Sequence, residues 1–157
     1  SDDFATTVDV LVEVLQMYKA MGKIFKFGCC IYPTAPFVTS TKLLQAFQVL
    51  SKGTFDSVFP VVKYGYPIQR SLRFEGNKIK MVYPEHLNSR SQDLESTYHD
   101  SGQFYWFSIE ALLSKRKMFT DNVTGILTSE LEAQDIDTEL DWKLAELKFE
   151  LMRTKNA

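Results

Sequence analysis

The chain has 157 residues, 45% of them hydrophobic, which suits one folded domain with a sizeable core. Its net charge of -2, with no run of Lys or Arg, excludes the electrostatic footprint of a nucleic-acid or membrane-surface protein. No apolar stretch approaches the ~20 residues that span a bilayer, so a cytoplasmic protein with no membrane or nucleic-acid partner is expected.

The chain opens at Ser1 without a methionine, and its acidic start runs into an amphipathic segment unlike a signal peptide. Either processing of the N-terminus or a missing preceding segment is expected. From Phe4 to about Gly22, Val8, Leu11, Val12, Leu15 and Tyr18 form a helical stripe, with Asp2 or Asp3 placed to cap it and Gly22 to stop it. The run Phe27 to Tyr32 is short and apolar and ends at Pro33, which predicts a strand buried on both faces and favours a parallel sheet. It holds both cysteines, Cys29 and Cys30. Adjacent positions are poor geometry for a disulfide and offer no metal-ligand spacing.

Thr39 or Ser40 caps a second helix through about Ser51, and Ser57 to Val62 is a β-branched and aromatic strand. The first third is therefore α-β-α-β, the order of a layered α/β domain. Ile68 to Phe74 and Lys78 to Tyr83 alternate on either side of Glu75-Gly76-Asn77, which predicts an antiparallel hairpin with one wet face. Pro84 to Ser101 is long and polar, and loops of that length are usually functional or disordered. Gln103 to Ile109 is a strongly apolar strand, followed by a short helix around Glu110 to Lys117 and a short strand at Gly125 to Thr128. Thr138, with Asp141 three positions on, caps a last helix whose apolar residues include Trp142, Leu144, Ala145, Leu147, Phe149 and Leu151.

Three segments can carry chemistry. In Asp135-Ile136-Asp137, alternate residues of an extended segment point the same way, so both carboxylates can face one site beside a helix N-terminus. Two carboxylates with water and substrate phosphates form the usual magnesium arrangement, although Asp is also common as a plain helix cap. In the polar stretch, Arg90 can make a bidentate contact to a carboxylate or phosphate, or stand as a solvated loop charge. Gly102 suggests close backbone approach or an unusual φ. His86 and His99 lack a partner at metal spacing and read as surface or hydrogen-bonding residues. Tyr32 to Phe37 lies where parallel strands of α/β sheets hold ligands. No Ser-His-Asp or Cys-His triad supports hydrolytic chemistry.

Five blocks resemble the cytidylyltransferases that make CMP-activated nonulosonic acids, the pseudaminic acid branch most closely, in order and spacing over essentially the whole chain. They are Cys30 to Phe37, Phe59 to Val62 with Tyr66 to Arg70, Arg90 to Glu95, Tyr98 to Trp106, and Gln134 to Thr138. Tyr32 stands where CMP-sialic acid synthetases usually have Gln, and Ser101-Gly-Gln-Phe-Tyr105 replaces Asn-Gly-Ala-Ile-Tyr; both departures favour the pseudaminic branch.

The resemblance implies a Rossmann-like, nucleotide-diphospho-sugar transferase-like α/β domain over residues 1 to 157, its sheet mainly parallel. It also implies a hairpin and loop insertion at 66 to 101 through which two subunits form a homodimer. It implies transfer of CMP from CTP to the anomeric hydroxyl of a nonulosonic acid, releasing pyrophosphate, with sialic or legionaminic acid as the alternative acceptors. Asp135 and Asp137 would hold Mg²⁺, Arg90 would meet an anionic group of the substrate, across the dimer, and Tyr32, Gln103 and Tyr105 would line the sugar pocket with Phe119 packed on it. Gln69 and Arg70 are weaker site residues. The family carries a strand and a basic Gly-Ser-rich loop for CTP before the position of Ser1, so the resemblance also implies an N-terminally incomplete chain, with a truncated, catalytically inactive dimeric fragment as the further alternative.

Overall fold

The structure is a computed structural model and describes residues 6–155. The first helix, α1 (Thr7–Ala20), starts later than its apolar stripe suggests. Thr6 is the N-cap: its hydroxyl accepts from the Asp9 amide, and the Asp9 carboxylate accepts from the Thr6 amide in return. Asp2 and Asp3, the expected caps, lie outside the described residues.

The chain continues through β1 (Phe27–Ile31), α2 (Ser40–Ser51) and β2 (Ser57–Lys63). It then forms the hairpin β3 (Leu72–Glu75) and β4 (Lys78–Met81), followed by β5 (Tyr98–Asp100), β6 (Phe104–Ser108), α3 (Ile109–Lys115), β7 (Val123–Leu127) and α4 (Glu139–Lys155). Ile68–Arg70, expected as strand, is a 3-10 turn that turns the chain into the hairpin. The polar stretch holds two more such turns, Pro84–His86 and Ser91–Asp93, and ends in β5. Arg70 donates to the Leu87 and Ser89 carbonyls and Gln69 to the Glu95 carbonyl, so the two weaker site residues brace this stretch.

The main sheet runs β1-β6-β2-β5, with β7 also paired to β2. A mainly parallel sheet is not what forms. β6 is antiparallel to both β1 and β2, β5 is antiparallel to β2, and among the described residues only β2 and β7 pair in parallel. Even so, β1, β2 and β7 share one direction, because β6 reverses the sense between β1 and β2. The reason the expectation misled is physical. Helices cover the sheet on both faces, and a strand buried on both faces is apolar throughout whichever way it runs.

Side chains alternate between two cores. Val58 and Phe104 join Ala46 and Leu50 of α2 on one face, whereas Phe59, Tyr105 and Phe107 join Leu112 of α3 and the α1 residues Val8 and Leu11 on the other. β1 is only half-buried, with no partner strand on its outer edge among the described residues. Gly28 lets it approach β6, since a Cβ there would lie 2.6 Å from the Phe107 ring.

Thr138 caps α4 as its spacing predicts, its amide and hydroxyl both donating to the Asp141 carboxylate. Only Ala145 of the expected apolar set on α4 is buried; Trp142, Leu144, Leu147, Phe149 and Leu151 are exposed. Among the described residues, no helix is long and apolar enough to cross a membrane.

Candidate active site

Three connections converge at one end of the sheet: the β1–α2 loop, the β5–β6 turn and the segment entering α4. Pro33 and Pro36 stiffen the first, and the Ala35 amide closes a turn onto the Tyr32 carbonyl. The Thr34 hydroxyl then donates to Asp135 Oδ1 at 3.1 Å, and the Ile136 amide donates to the same oxygen at 3.1 Å. Gly102, with φ +66°, turns the second connection beside Asp135. A Cβ at position 102 would stand 3.4 Å from Asp135 Oδ2. The absence of a side chain at 102 leaves that oxygen a place to be approached.

A cavity of about 420 Å³ opens here. Its wall carries Asp135 and Gln134 from the third connection, Asp100, Ser101 and Gly102 from the second, Lys63 and Tyr64 from the end of β2, His99 from β5 and Lys148 from α4. Lys148 reaches back to donate to the Ala133 carbonyl at 2.7 Å, tying the last helix to the Asp135 segment. Asp137 stands exposed two residues beyond Asp135, where its amide donates to the Asp141 carboxylate at the entrance of α4.

Beside the cavity lies an aromatic cluster. The Tyr32 and Tyr105 rings meet edge to face at 5.6 Å, and Phe119 packs on Phe59 at 4.6 Å and on Tyr105 at 5.9 Å. Phe119 is 53% exposed, so it presents a face to an incoming molecule. Tyr32 shares a 3.2 Å hydroxyl contact with Thr7. The Tyr105 hydroxyl donates to Asp100 Oδ2; burial first, and then that bond, holds its phenol proton far above the ordinary range. Burial likewise pushes the Cys29 thiol up to about 12 and Cys30 upward, so neither behaves as a nucleophile near neutral pH.

Of the residues singled out from the sequence, Tyr32, Tyr105 and Phe119 come together, and Asp135 faces the cavity. Gln103 departs from expectation. It is 2% exposed, and its side-chain amide donates to the Glu132 carbonyl, so it braces the wall from behind instead of lining a sugar pocket. Its carbonyl accepts the Tyr32 amide at 3.0 Å, which locks β6 to the β1–α2 loop. Arg90 is engaged with Asp93 at 2.7 and 3.2 Å on the polar stretch and does not line this cavity.

Sequence reasoning passed over Thr34, Asp100 and Lys148, and read His99 as a surface or hydrogen-bonding residue, which agrees with its exposed position and its bond to the Asp100 carbonyl. Asp100 and Tyr105 flank a tight turn at Gly102, a local signal that could have paired them. Nothing local marks Lys148 among the charges of α4.

Among the described residues, no three His, Cys, Asp or Glu side chains gather into a metal cluster. A hard cation such as magnesium needs only one or two protein carboxylates when substrate phosphates and water complete its shell. Asp135 offers such a carboxylate, with Gly102 leaving its Oδ2 approachable, whereas Asp137 lies outside the cavity lining.

No family profile matches the chain. It is 30% identical over 152 residues to pseudaminic acid cytidylyltransferase of Campylobacter jejuni, covering 96% of this chain and 66% of that protein. It is 28% identical over 164 residues to CMP-N,N'-diacetyllegionaminic acid synthase of Legionella pneumophila, covering 96% and 67% respectively. It is 25% identical over 155 residues to N-acylneuraminate cytidylyltransferase A of Danio rerio, covering 93% of this chain and 33% of that protein. The chain thus spans just under two thirds of the length of the Campylobacter protein. With this likeness running through almost all of its residues, the chain belongs to the family of nonulosonic acid cytidylyltransferases.

Proposed function

We propose that the protein transfers CMP from CTP to the anomeric hydroxyl of a nonulosonic acid, pseudaminic acid foremost, and releases pyrophosphate. The observation that carries this reading is Asp135, an acid of the Asp135-Ile136-Asp137 pair, fixed by Thr34 in the wall of a polar cavity beside an aromatic cluster. Relatives at 30% and 28% identity are named for this chemistry.

In the reaction the hydroxyl oxygen bonds to the α-phosphorus, the bond from that phosphorus to the bridging oxygen breaks, and the hydroxyl proton leaves to solvent. Such transfers depend mostly on positioning and on neutralising charge. Asp135 and Asp137 would hold magnesium, which would supply neutralising charge to the phosphates when bound. Thr34 and the Ile136 amide orient Asp135 by occupying Oδ1. Tyr32, Tyr105 and Phe119 present an apolar wall that excludes water from one side of the sugar. Arg90 meets an anionic group of substrate bound to a second copy of the chain, and CTP as donor places the reaction in the cytoplasm.

The second copy docks through the hairpin insertion within residues 66 to 101. β3 and β4 form their own two-stranded sheet, and such a sheet is marginal alone. The pairs Leu72–Met81 and Phe74–Ile79 give it an apolar face, and Phe74 is 77% exposed. The other face is charged, Glu75 pairing with Arg73 at 2.9 Å and with Lys80 at 2.5 Å.

Legionaminic acid is the second reading for the acceptor, since the relative named for it covers the chain equally well. CMP-sugar formation from CTP, assayed across pseudaminic, legionaminic and sialic acids with and without magnesium, tests the reading. Asp137→Asn should remove most magnesium-dependent synthesis. Full magnesium-dependent synthesis by that variant would overturn the metal assignment, and no product with any acceptor would overturn the reaction.

A further inference from the structure

Helix α4 buries little of its apolar surface. Ala145 is buried, with Lys148 and Met152 half-buried along the same line. About a quarter-turn round the helix stand Leu140, Leu144, Leu147 and Leu151, each between 40% and 66% exposed. Their spacing of four, three and four residues is the heptad seam by which one helix packs against another. The charges beside the seam say which helix that is. Lys143 and Glu150 line one side and Asp141 and Lys148 the other, so each side carries both signs seven residues apart. Asp141 and Lys148 are engaged within the chain, by Thr138 and by the Ala133 carbonyl. Lys143 and Glu150 are exposed, with Arg153 3.7 Å from Glu150.

We propose that α4 is a self-recognition helix, its leucine seam covered by α4 of a second copy running antiparallel. With Leu144 against the partner's Leu147, like sides of the two helices face each other. Lys143 then meets the partner's Glu150 and Asp141 faces the partner's Lys148, each contact formed twice by symmetry. A parallel pair sets Lys143 against the partner's Lys148 instead. The seam is therefore complementary to an inverted copy of itself and not to an aligned one. The contact is distinct from the hairpin face of β3 and β4, and it is independent of the reaction. Two different twofold contacts on one chain join dimers into a larger assembly. A seam of two heptads is short, so the joining needs concentrations well above those at which the hairpin dimer forms.

The test is sedimentation velocity of the complete chain, from micromolar to near-millimolar concentration. Wild type should step from dimer to tetramer, and Phe74→Glu, with the hairpin contact removed, from monomer to dimer. The step is what is read, so the outcome does not depend on the hairpin. Leu147→Glu keeps a good helix former at an exposed position. It should raise the dissociation constant of the step roughly 100-fold, since symmetry places it in the seam twice. Lys143→Glu should weaken the step several-fold, and Lys143→Glu combined with Glu150→Lys should restore it. Positions seven apart do not touch within one helix, so that rescue reports contact between copies. No step in the wild type, or a step that Leu147→Glu leaves unchanged, overturns the proposal. A tighter step in Lys143→Glu overturns it as well, since that is the mark of a parallel pair. A lower Tm for Leu147→Glu with association unchanged assigns the seam to the chain's own core and also overturns the pairing.

Discussion

Thr34 and Asp135 lie 101 positions apart in the chain and 3.1 Å apart in space, the hydroxyl of one donating to Oδ1 of the other. With the Ile136 amide on the same oxygen, the carboxylate is fixed from one side and its Oδ2 faces the gap at Gly102. Removing the hydroxyl frees the carboxylate to rotate. Thr34→Val should raise the magnesium concentration for half-maximal CMP-sugar synthesis and lower kcat/KM about 10-fold, the size of one hydrogen bond to a charged group. Thr34→Ser should restore both. A magnesium titration of the three proteins checks this, and a valine variant indistinguishable from wild type would make Thr34 a bystander.

Gly102 and Gly22 allow a second test, because both have positive φ, +66° and +73°, and only one neighbours the site. Alanine in the left-handed region costs about 1–2 kcal/mol at either position, which for a domain of this size lowers Tm by roughly 2–8 °C. At Gly22 the new methyl meets nothing within 4 Å, whereas at Gly102 it lies 3.4 Å from Asp135 Oδ2. Both alanine variants should melt earlier. Gly102→Ala alone should also weaken magnesium activation, as calorimetry beside the same titration would show.

How much of this could be read from residues follows from how local each feature is. The stripe of α1, the Thr39 cap of α2, the turn at Gly76 and the Thr138–Asp141 cap depend on neighbours within a few positions, and each appears in the structure. The direction of β6 does not. Phe104 to Phe107 are buried by helices on both faces, and their composition is the same whichever way the strand points. Gln103 misled for a related reason. Nothing beside it in sequence says that the Glu132 carbonyl waits 29 residues on. Asp135 was legible as a candidate and the structure sets it in the cavity wall, but its partner Thr34 was not legible, because that contact exists only once the β1–α2 loop has met the α4 entrance.

Asp56 is one carboxylate through which stability should depend on acid. Its carboxylate accepts from Lys115 at 2.7 Å, Thr120 at 2.6 Å and Asn122 at 3.5 Å, and so anchors the segment that follows Phe119. The Lys115 hydrogen bond, then that of Thr120, holds its carboxyl below the usual range. A depressed folded pKa contributes stability that is present above the unfolded value of about 3.9 and is lost as pH falls through the folded value. Lys115 is raised chiefly by the same bond. Its share is therefore present below the unfolded lysine value and is lost only as pH rises through the folded one. Asp56→Asn should lower Tm by a few degrees at pH 7. That difference should shrink once pH falls below the unfolded carboxylate value and close below the lower folded value, where the wild type has lost the same charge. Melting curves from pH 7 to pH 2 measure it, and a gap that stays constant would mean that the charge of Asp56 contributes nothing.

Phe74 carries the last prediction, because the hairpin it sits on needs a covering surface. On one face Phe74 and Ile79 stand opposite each other, with Leu72 and Met81 beside them; on the other, Glu75 stands opposite Lys78. If a second copy covers the apolar face, twofold symmetry places each substitution in the interface twice. Burying a phenylalanine stabilises by about 1.5–3 kcal/mol, so Phe74→Glu in both copies should weaken dimerisation roughly 100-fold or more. Sedimentation velocity at micromolar concentration should then show a monomer. Lys78→Glu, a charge reversal on the opposite face, should remain dimeric. The pair of variants separates a docked apolar face from a general effect of charge, and a dimer that survives Phe74→Glu would move the interface elsewhere. Loss of the dimer should also abolish any contribution of Arg90 to substrate binding, because Arg90 lies off the cavity of its own chain. Arg90→Ala should therefore weaken sugar binding in the wild-type dimer and change nothing in the Phe74→Glu monomer.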